Sequence, residues 1–356
     1  MQHTFPWHAV WTCAGSILAI LSTGCGPHES VGIPDPGAAP GRVVLYTSLN
    51  EPTVRPVLDQ FTARTGIRVE LLADTERDKT VGLVRILLEE RSRPRADVFW
   101  NSEIAHTVRL KHAGVLAPCN PPPPEADRIP SVYRDPEHFW FGFAARARVL
   151  IVNTDLVSVE QRPNSMWDLI DPRWRGQAAL VRPVTGTTLT HMTALFEVLG
   201  EAETLRFLRG VVENDCSLPP GNGRLAHLVG AGEIAFGFTD TSDYRLVRHA
   251  GKPVVAVYPD QQGPDPLGTL LIPNVVSLVR GGPNPDNARR LLRFLLSDEA
   301  ESILANHPRG HIPLRPGIEQ PEEVRLPDTF QAMAVDFEAV GKAVEARLAE
   351  LDALFP

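Results

Sequence analysis

Between residues 42 and 111 the chain alternates strand-like and helix-like segments, and this order restricts the possible fold more than any other feature of the sequence. Short apolar runs rich in β-branched residues, which are typical of strands, lie at 42–48, 67–72 and 96–100. Segments with apolar residues at helical spacing lie at 51–65, 80–91 and 104–111. Strands that alternate with helices predict a parallel sheet and an α/β fold.

The alternation continues through the rest of the chain. Further strands are predicted at 139–152, 178–181, 234–239, 254–258 and 270–279, and further helices at 189–199, 205–214, 225–230, 288–296, 299–306 and 330–354. The 356 residues exceed the roughly 250–300 at which single cores stop growing, so two domains are expected. The long strands near 140–152 and 268–279 are natural crossings between two lobes, which we place at 41–145 plus 275–356 and at 146–274.

Composition and charge exclude several classes of protein. The 27 Gly and 33 Pro are together well below the roughly 25–30% of residues that marks low-complexity chains. The formal net charge of −8 argues against nucleic acid as the main partner, because nucleic-acid-binding proteins carry a basic face.

Residues 1–25 have the layout of an export signal. They contain no Lys, Arg, Asp or Glu, and their apolar stretch ends in Ser22, Thr23, Gly24 and Cys25. Small residues before a cysteine resemble the cleavage site of bacterial lipoproteins, in which the cysteine, here Cys25, becomes the lipidated first residue. A plain signal peptide and a retained signal anchor are the alternatives. Residues 26–40 contain four Pro and few apolar residues, which suits a flexible tether.

The remaining cysteines and the short motifs give no support to an enzyme. Cys119 and Cys216 could form a disulfide in an oxidising compartment or remain as two buried thiols. The chain has no CxxC pair and no HExxH, GxSxG or GxxxxGK[ST] motif, so a zinc ribbon and the common hydrolase and nucleotide-binding sites have no basis in the sequence.

An ordered set of segments carries a family resemblance. VVLYTS, ADVFWNSE, a helix start with Gly-Thr-Thr, GEIAFGFTDTSDY and IPNVVSLVRGGPNPDNARRLLRFLLSDEAE follow one another between residues 42 and 316. This set resembles the periplasmic solute-binding proteins of ABC importers, and more narrowly those that bind ferric iron and their relatives that bind small anions such as phosphonates. The resemblance implies a type II-like periplasmic-binding-protein fold, in which two α/β lobes joined by two crossing strands close on a ligand in the cleft between them.

Polar residues at predicted strand ends are the first candidates for ligand binding, because ligands of open α/β sheets bind beyond the carboxyl ends of the strands. Thr47 and Ser48 follow the first strand, and Asn101, Ser102 and Glu103 follow the third. Capping of the next helices is the alternative role of these residues.

The start of the helix after the strand at 178–181 is the best single candidate for an anion site. It carries Thr185, Gly186, Thr187 and Thr188. The first N–H groups of a helix lack intrahelical partners and attract anions, the hydroxyls add donors, and Gly186 permits close approach. In the family that the chain resembles, this loop holds the phosphate or carbonate that completes an iron site, or the anionic group of the ligand itself. A plain threonine N-cap is the alternative.

The second lobe and the first crossing strand supply the remaining candidates, which are Arg146, Asn222, Arg224, Thr239, Asp240 and Tyr244. Arg224 could pair with an anion through a bidentate contact, or it could be a solvated loop residue. Arg146 and Arg148 alternate with alanines and share one face of the strand, where one could reach the cleft or form an interlobe salt bridge.

The resemblance matches Glu103, with a slight shift, to the acidic metal ligand of the ferric-binding proteins, and Asp240 and Tyr244 could supply further oxygen ligands. Ferric-binding relatives usually place adjacent tyrosines after the strand at 234–239, whereas this chain has Thr241 and Ser242 there. The departure leaves two solutes open, which are ferric iron and an organic anion without metal.

The sequence therefore predicts the substrate-binding subunit of an ABC importer rather than an enzyme. It would capture ferric iron with phosphate or carbonate, or a small anionic solute, by closure of the lobes at the crossing strands. No covalently bound cofactor is expected. We expect a periplasmic or otherwise extracytoplasmic monomer, held at the membrane by a lipid anchor, that docks on a permease. A secreted α/β hydrolase and a ligand sensor that presents its closed form to a receptor are the alternatives.

Overall fold

The computed structural model describes residues 41–73 and 81–355. The predicted signal at 1–25 with Cys25 and the predicted tether at 26–40 lie outside the described residues and stay predictions. Within the described ranges, no helix is both long and apolar enough to cross a membrane.

The strands of the described part form one mixed sheet. They are β1 (Arg42–Thr47), β2 (Arg68–Ala73), β3 (Val98–Asn101), β4 (Leu116–Ala117), β5 (Phe141–Asn153), β6 (Ala178–Leu180), β7 (Phe236–Asp240), β8 (Val254–Val257) and β9 (Leu271–Val279). Their order is β2-β1-β3-β9-β5-β7-β6, with β4 added on β9 and β8 on β5. The predicted parallel pairing is confirmed for β1 with β2 and with β3, and β6 runs parallel to β7.

Most helices of the described part overlap the segments that helical spacing predicts, and α7 is the exception. They are α1 (Glu51–Thr65), α2 (Val81–Glu89), α3 (Ala105–His112), α4 (Gly186–Val198), α5 (Glu201–Glu213), α6 (Asn222–Gly230), α7 (Thr241–His249), α8 (Pro285–Leu295), α9 (Asp298–Asn306) and α10 (Phe337–Leu354).

Helix α1 illustrates how the local sequence produces these elements. Val54, Val57 and Phe61 share one face and are fully buried in the core beside β1. Burial of such a side chain contributes roughly 1.5–3 kcal/mol. The helix ends at Gly66, whose φ of 69° is the left-handed conformation that glycine adopts without strain, and its N–H donates to the carbonyl of Thr62.

Strand β5 takes part in both halves of the sheet. All of its residues are buried, its first half pairs with β9, and its second half, from Arg148 onward, pairs with β7 and β8. The register shifts between Phe143 and Arg146, where Ala144 has a φ of 44° and Ala145 bridges to Ile312. Such a bulge bends a strand and redirects its side chains. The exact lobe boundaries at 145/146 and 274/275 stay a prediction.

The last helix, α10, packs against both α3 and α4. Its closest approach to α3 is at Gly341, where a Cβ atom would lie 2.2 Å from the Cβ of Val108. Toward α4, the guanidinium of Arg347 lies 3.9 Å from the ring centre of Phe196. The helix thus joins the N-terminal and middle parts of the chain.

The structure corrects two local predictions. The last helix begins at Phe337 rather than near residue 330, because the side chain of Asp336 caps it by accepting hydrogen bonds from two backbone N–H groups. Helix α7 was not predicted, since the segment after β7 is polar at its start. Cys119 and Cys216 are both free, buried thiols, so no disulfide joins them in this structure.

Candidate functional site

A cleft of about 120 Å³ lies beyond the ends of β1, β3, β6 and β7. It occupies the place where open α/β sheets bind their ligands. The predicted binding residues that line it are Ser48, Ser102, Arg146, Thr185, Gly186, Thr187, Thr188, Asn222 and Asp240. The fold therefore brings residues from four separate strand ends and from β5 to one place.

A polar network beside the cleft centres on Arg148 of β5, whose side chain is fully buried. Its Nη1 donates to Asp240 Oδ1 at 2.9 Å, to Asn222 Oδ1 at 3.1 Å and to Thr187 Oγ1 at 3.3 Å. Its Nη2 donates to Thr188 Oγ1 at 3.2 Å. These contacts tie β5 to the first residues of α4 and α6 and to the end of β7, so Arg148 holds the binding residues in position.

Asp240 is the carboxylate partner in this network. It also accepts hydrogen bonds from Thr187 Oγ1 at 2.8 Å and from Asn222 Nδ2 at 3.1 Å. Burial by itself would raise the pKa of Asp240, but the charges of Arg148 and Arg146 and the hydrogen bonds outweigh burial and hold the pKa below its usual value. Asp240 is therefore ionised and neutralises Arg148.

Arg146 is a buried cation, and none of the described carboxylates forms an ion pair with it. It lies two residues before Arg148 and faces the cleft with only 7% of its surface exposed. Its Nη2 donates to the carbonyl of Ser102, its Nε has no hydrogen-bond partner, and no carboxylate among the described residues lies within 4.0 Å. Burial lowers the pKa of Arg146, and the nearby charges of Asp240 and Asp243 partly oppose this. Since buried charges are normally paired, an anion in the cleft would supply the missing partner.

Glu103 is fully buried and serves the helix that follows it. Its carboxylate accepts hydrogen bonds from the backbone N–H of Ala105 at 2.7 Å and of His106 at 3.2 Å, as well as from Asn101 Nδ2 at 2.9 Å. It also accepts one from Thr190 Oγ1 of α4 at 2.7 Å. Glu103 caps α3 and links it to α4, and it does not line the cleft.

The neighbouring hydroxyls shape the wall of the cleft formed by β1 and β3. Ser48 Oγ donates to Asn101 Oδ1 at 2.7 Å and accepts from the N–H of Ser102 at 2.8 Å. Ser48 and Ser102 line the cleft, whereas Asn101 is buried behind them.

The first turn of α4 supplies backbone donors to the cleft. Thr185 is the N-cap, and Gly186, Thr187 and Thr188 follow as the first residues of the helix. Gly186 has a φ of 58°, and a Cβ atom there would meet no atom within 4 Å, so glycine is required by the backbone conformation and not by lack of space. The positive end of the helix dipole at this turn favours a negative charge in the cleft.

Several predicted residues lie outside the lining of the cleft. Thr47 and Thr239 are buried, and Thr239 donates to the carbonyl of Asn222 at 3.3 Å. Arg224 is an exposed residue of α6. Tyr244 of α7 is half-buried and packs against the core. Their assignment as ligand-binding residues stays a prediction.

The structure adds lining residues that the sequence analysis missed. Asp243 and Ser242 come from α7, and Arg309 and His311 come from the segment after α9. Arg309 Nη1 pairs with Asp243 Oδ1 at 2.9 Å. Burial lowers the pKa of His311 well below its usual value, and the charges of Arg146 and Arg309 lower it further, so this imidazole is neutral. No spacing or composition signal links residues 309 and 311 to the other strand ends.

The side chains around the cleft favour an anion over a bare metal ion. No tyrosine is among its lining residues. Within the described ranges, no group of three or more His, Cys, Asp or Glu residues could hold a metal ion. Arg146 retains an uncompensated positive charge, since Asp240 is paired with Arg148 and Asp243 with Arg309.

The chain is similar to a known protein family and to several solved structures. Residues 57–332 match the family model described as bacterial extracellular solute-binding protein. Iron uptake protein A1 of Synechocystis sp. is 26% identical over 91% of this chain and 90% of its own. Apo ferric ion-binding protein A of Pasteurella haemolytica superposes with a TM-score of 0.78 at 22% identity over 88% of this chain and 98% of its own. A Trichodesmium protein in complex with iron and citrate ligands superposes with a TM-score of 0.75 at 24% identity, over 88% and 99%.

Proposed function

The chain belongs to the bacterial extracellular solute-binding proteins, and from this premise we propose that it is the substrate-binding subunit of an importer whose solute is a small anion held at Arg146. Membership of this family confirms the predictions of a solute-binding protein and of a periplasmic-binding-protein fold. Delivery to an ABC permease, lobe closure, a monomeric state and lipidation at Cys25 are parts of the same proposal.

The observation that carries the proposal is the buried guanidinium of Arg146 in the cleft, whose Nε has no hydrogen-bond partner and which forms no ion pair with a described carboxylate. A guanidinium stays protonated even when burial lowers its pKa, so the charge is permanent. The first residues of α4, at the positive end of its dipole, line the same cleft. Both features stabilise negative charge, and together they fit a carboxylate or a phosphonate group.

Ferric iron enters as the first candidate cargo because the relatives are iron proteins by name and one neighbour holds iron with citrate. Fe(III) prefers oxygen donors, and the cleft presents no phenol of its own. We therefore propose that iron is bound as a complex with an anionic chelator such as citrate. The oxygens of the chelator would coordinate the metal, and its remaining negative charge would pair with Arg146. Direct ligation by Glu103, Asp240 and Tyr244 receives less support, since Glu103 is saturated with hydrogen bonds and Tyr244 lies outside the cleft.

A metal-free organic anion is the second candidate. It is favoured by the absence of tyrosine from the residues that line the cleft. Phosphate and phosphonate oxygens accept hydrogen bonds from helix N-termini and pair with arginine in a fork geometry.

The test is a calorimetric and thermal-shift titration of the purified, metal-stripped chain with ferric citrate, citrate alone, methylphosphonate and ferric iron with phosphate. A ligand at about 100 times its Kd should stabilise the protein by roughly 2.7 kcal/mol. In Arg146→Gln we expect affinity for the binding ligand to fall at least about tenfold, because a hydrogen bond to a charged group contributes roughly 1.5–3 kcal/mol.

The matched control is Arg175→Gln, which removes an exposed arginine paired with Asp215 on the surface, 2.8 Å apart. Its affinities should equal those of the wild type. A response to ferric citrate alone would identify the chelate as cargo, and a response to methylphosphonate alone would identify an organic anion. Full affinity in Arg146→Gln, or no binding of any anion by the wild type, would contradict the proposal.

A further inference from the structure

Arg309 and Asp243 form a second charged pair in the cleft, and it differs in kind from the pair of Arg148 with Asp240. The side chains of Arg148 and Asp240 are 0% and 4% exposed, and Arg148 donates to four partners. The side chains of Arg309 and Asp243 are 20% and 14% exposed, and a single contact of 2.9 Å joins them. The first pair is a fixed part of the fold, whereas the second is open to exchange with a ligand.

The turn that carries Arg309 is held rigidly in place. Gly310 has a φ of 54°, and a Cβ atom there would lie within 3.0 Å of the side chains of Arg245 and Val324. The buried guanidinium of Arg245 donates to the carbonyls of Gly310 and, at 2.7 Å, of Glu323. These contacts hold the backbone beside Arg309, while the Arg309 side chain stays 20% exposed.

This turn is also joined directly to the strand that carries Arg146. Ile312 and Ala145 exchange two backbone hydrogen bonds of 2.7 Å each, and Ala145 is the residue before Arg146. Arg146 and Arg309 both line the cleft, and each is close enough for its charge to lower the pKa of the neutral His311, which also lines the cleft. Two guanidinium groups therefore line the cleft. None of the described carboxylates pairs with Arg146, whereas Arg309 pairs with the partly exposed Asp243.

We infer that Arg309 is a specificity-determining residue that selects solutes with two negative charges, and that Asp243 occupies it until such a solute enters. This inference rests on the proposed anion-binding function and deepens it. A singly charged solute satisfies Arg146 and leaves the Arg309–Asp243 pair intact. A doubly charged group also displaces Asp243 from Arg309, so that both guanidinium groups share one ligand.

The experiment compares two probes of similar shape and different charge in the purified full chain. Methylphosphonate is doubly charged above its second pKa, and methanesulfonate carries one charge at the same pH. Isothermal titration of the wild type should show the tighter binding for methylphosphonate. Arg309→Gln should lower the affinity for methylphosphonate about tenfold and change that for methanesulfonate less than about twofold, while Arg309→Lys should restore part of the loss.

Asp243→Asn provides an independent variant that keeps Arg309. It should raise the affinity for methylphosphonate severalfold, because the doubly charged group no longer has to displace a carboxylate from Arg309. Arg175→Gln and Asp215→Asn, which remove the two halves of a surface pair outside the cleft, are the matched controls and should leave both affinities unchanged.

The outcomes separate this inference from the proposed function. If Arg146→Gln abolishes binding but Arg309→Gln changes neither affinity, or changes both equally, the selective role of Arg309 is wrong and the anion site at Arg146 stands. An affinity for methylphosphonate that does not rise in Asp243→Asn would also show that Asp243 does not compete with the solute for Arg309. If the wild type binds neither methylphosphonate nor methanesulfonate, both the inference and the proposed binding of small anions are wrong.

Discussion

Replacement of Asp240 by Asn tests whether the network around Arg148 holds the cleft together. The substitution keeps the volume of the side chain and removes its negative charge. Arg148 is then a fully buried cation whose remaining contacts are the neutral oxygens of Thr187, Thr188 and Asn222. The substitution therefore tests the effect of the negative charge alone, since it leaves the backbone of β7 and α7 unchanged.

The expected cost follows from the burial of the pair. Removing one partner of a buried ion pair typically costs 3–5 kcal/mol, because it leaves the other charge buried without compensation. Unfolding entropy of roughly 2.1 cal/mol/K per residue, applied to the described part of the chain, converts this cost into a decrease in Tm of about 5–8 °C. A double variant, Arg148→Met with Asp240→Asn, should recover part of the loss because no charge is then left unpaired.

The assay is thermal unfolding followed by circular dichroism at several values of pH. The pKa of Asp240 is lower in the folded protein than in the unfolded chain, so its contribution is present above the unfolded pKa of about 3.9 and is lost as the pH falls through the lower, folded value. The wild type should therefore lose its advantage over Asp240→Asn in acid. Asp215→Asn, which removes an exposed carboxylate, is the control and should change Tm by less than about 1 °C. A Tm for Asp240→Asn equal to that of this control would refute the argument.

Three further predictions concern packing and protonation. Gly341→Ala places a Cβ atom 2.2 Å from the Cβ of Val108, so it should separate α10 from α3. A urea titration should show that the free energy of unfolding falls by about 1–3 kcal/mol. An alanine substitution at an exposed helical site should not lower it. Glu301→Gln removes the charge of a fully buried carboxylate that accepts from two backbone N–H groups and from Arg315. Arg315 keeps Asp298 as an ion-pair partner at 2.8 Å, so the substitution should cost about 1.5–3 kcal/mol in the same titration, and a loss below about 1 kcal/mol would contradict this. Burial lowers the pKa of His191 well below its usual value, so the folded protein binds fewer protons than the unfolded chain and stability should fall as the pH decreases below about 6.5; His191→Leu should reduce this slope, and an unchanged slope would count against it.

The elements of the fold were largely predictable from the sequence. Residues 51–65 carry helical spacing and residues 42–47 a β-branched apolar run, and both become the elements α1 and β1 because local periodicity decides which face can be buried. Helix α7 was missed because its first residues are polar and its apolar face is short. The extension of the last helix to residue 330 was wrong, since the cap at Asp336 stops it.

The candidate site was predictable only in part. The turn at Thr185–Thr188 and the alternation of Arg146 with alanine place both near a cleft, because strand ends and helix starts meet at one edge of an α/β sheet. Glu103 shows the limit of this reasoning. Its position after β3 fits a ligand-binding residue, yet its carboxylate accepts hydrogen bonds from the first N–H of α3 and from the hydroxyl of Thr190.

The order of strands and helices, the polar residues at the strand ends and the lack of a tyrosine pair after β7 can all be read from the sequence. Which charges become neighbours follows from the packing of the elements. Asp240 pairs with Arg148 and Asp243 with Arg309, while no carboxylate of the described residues lies within 4.0 Å of Arg146. The physical reason is that periodicity specifies which face of an element is buried, whereas the pairing of charges 66 or 92 residues apart depends on how the elements pack in three dimensions.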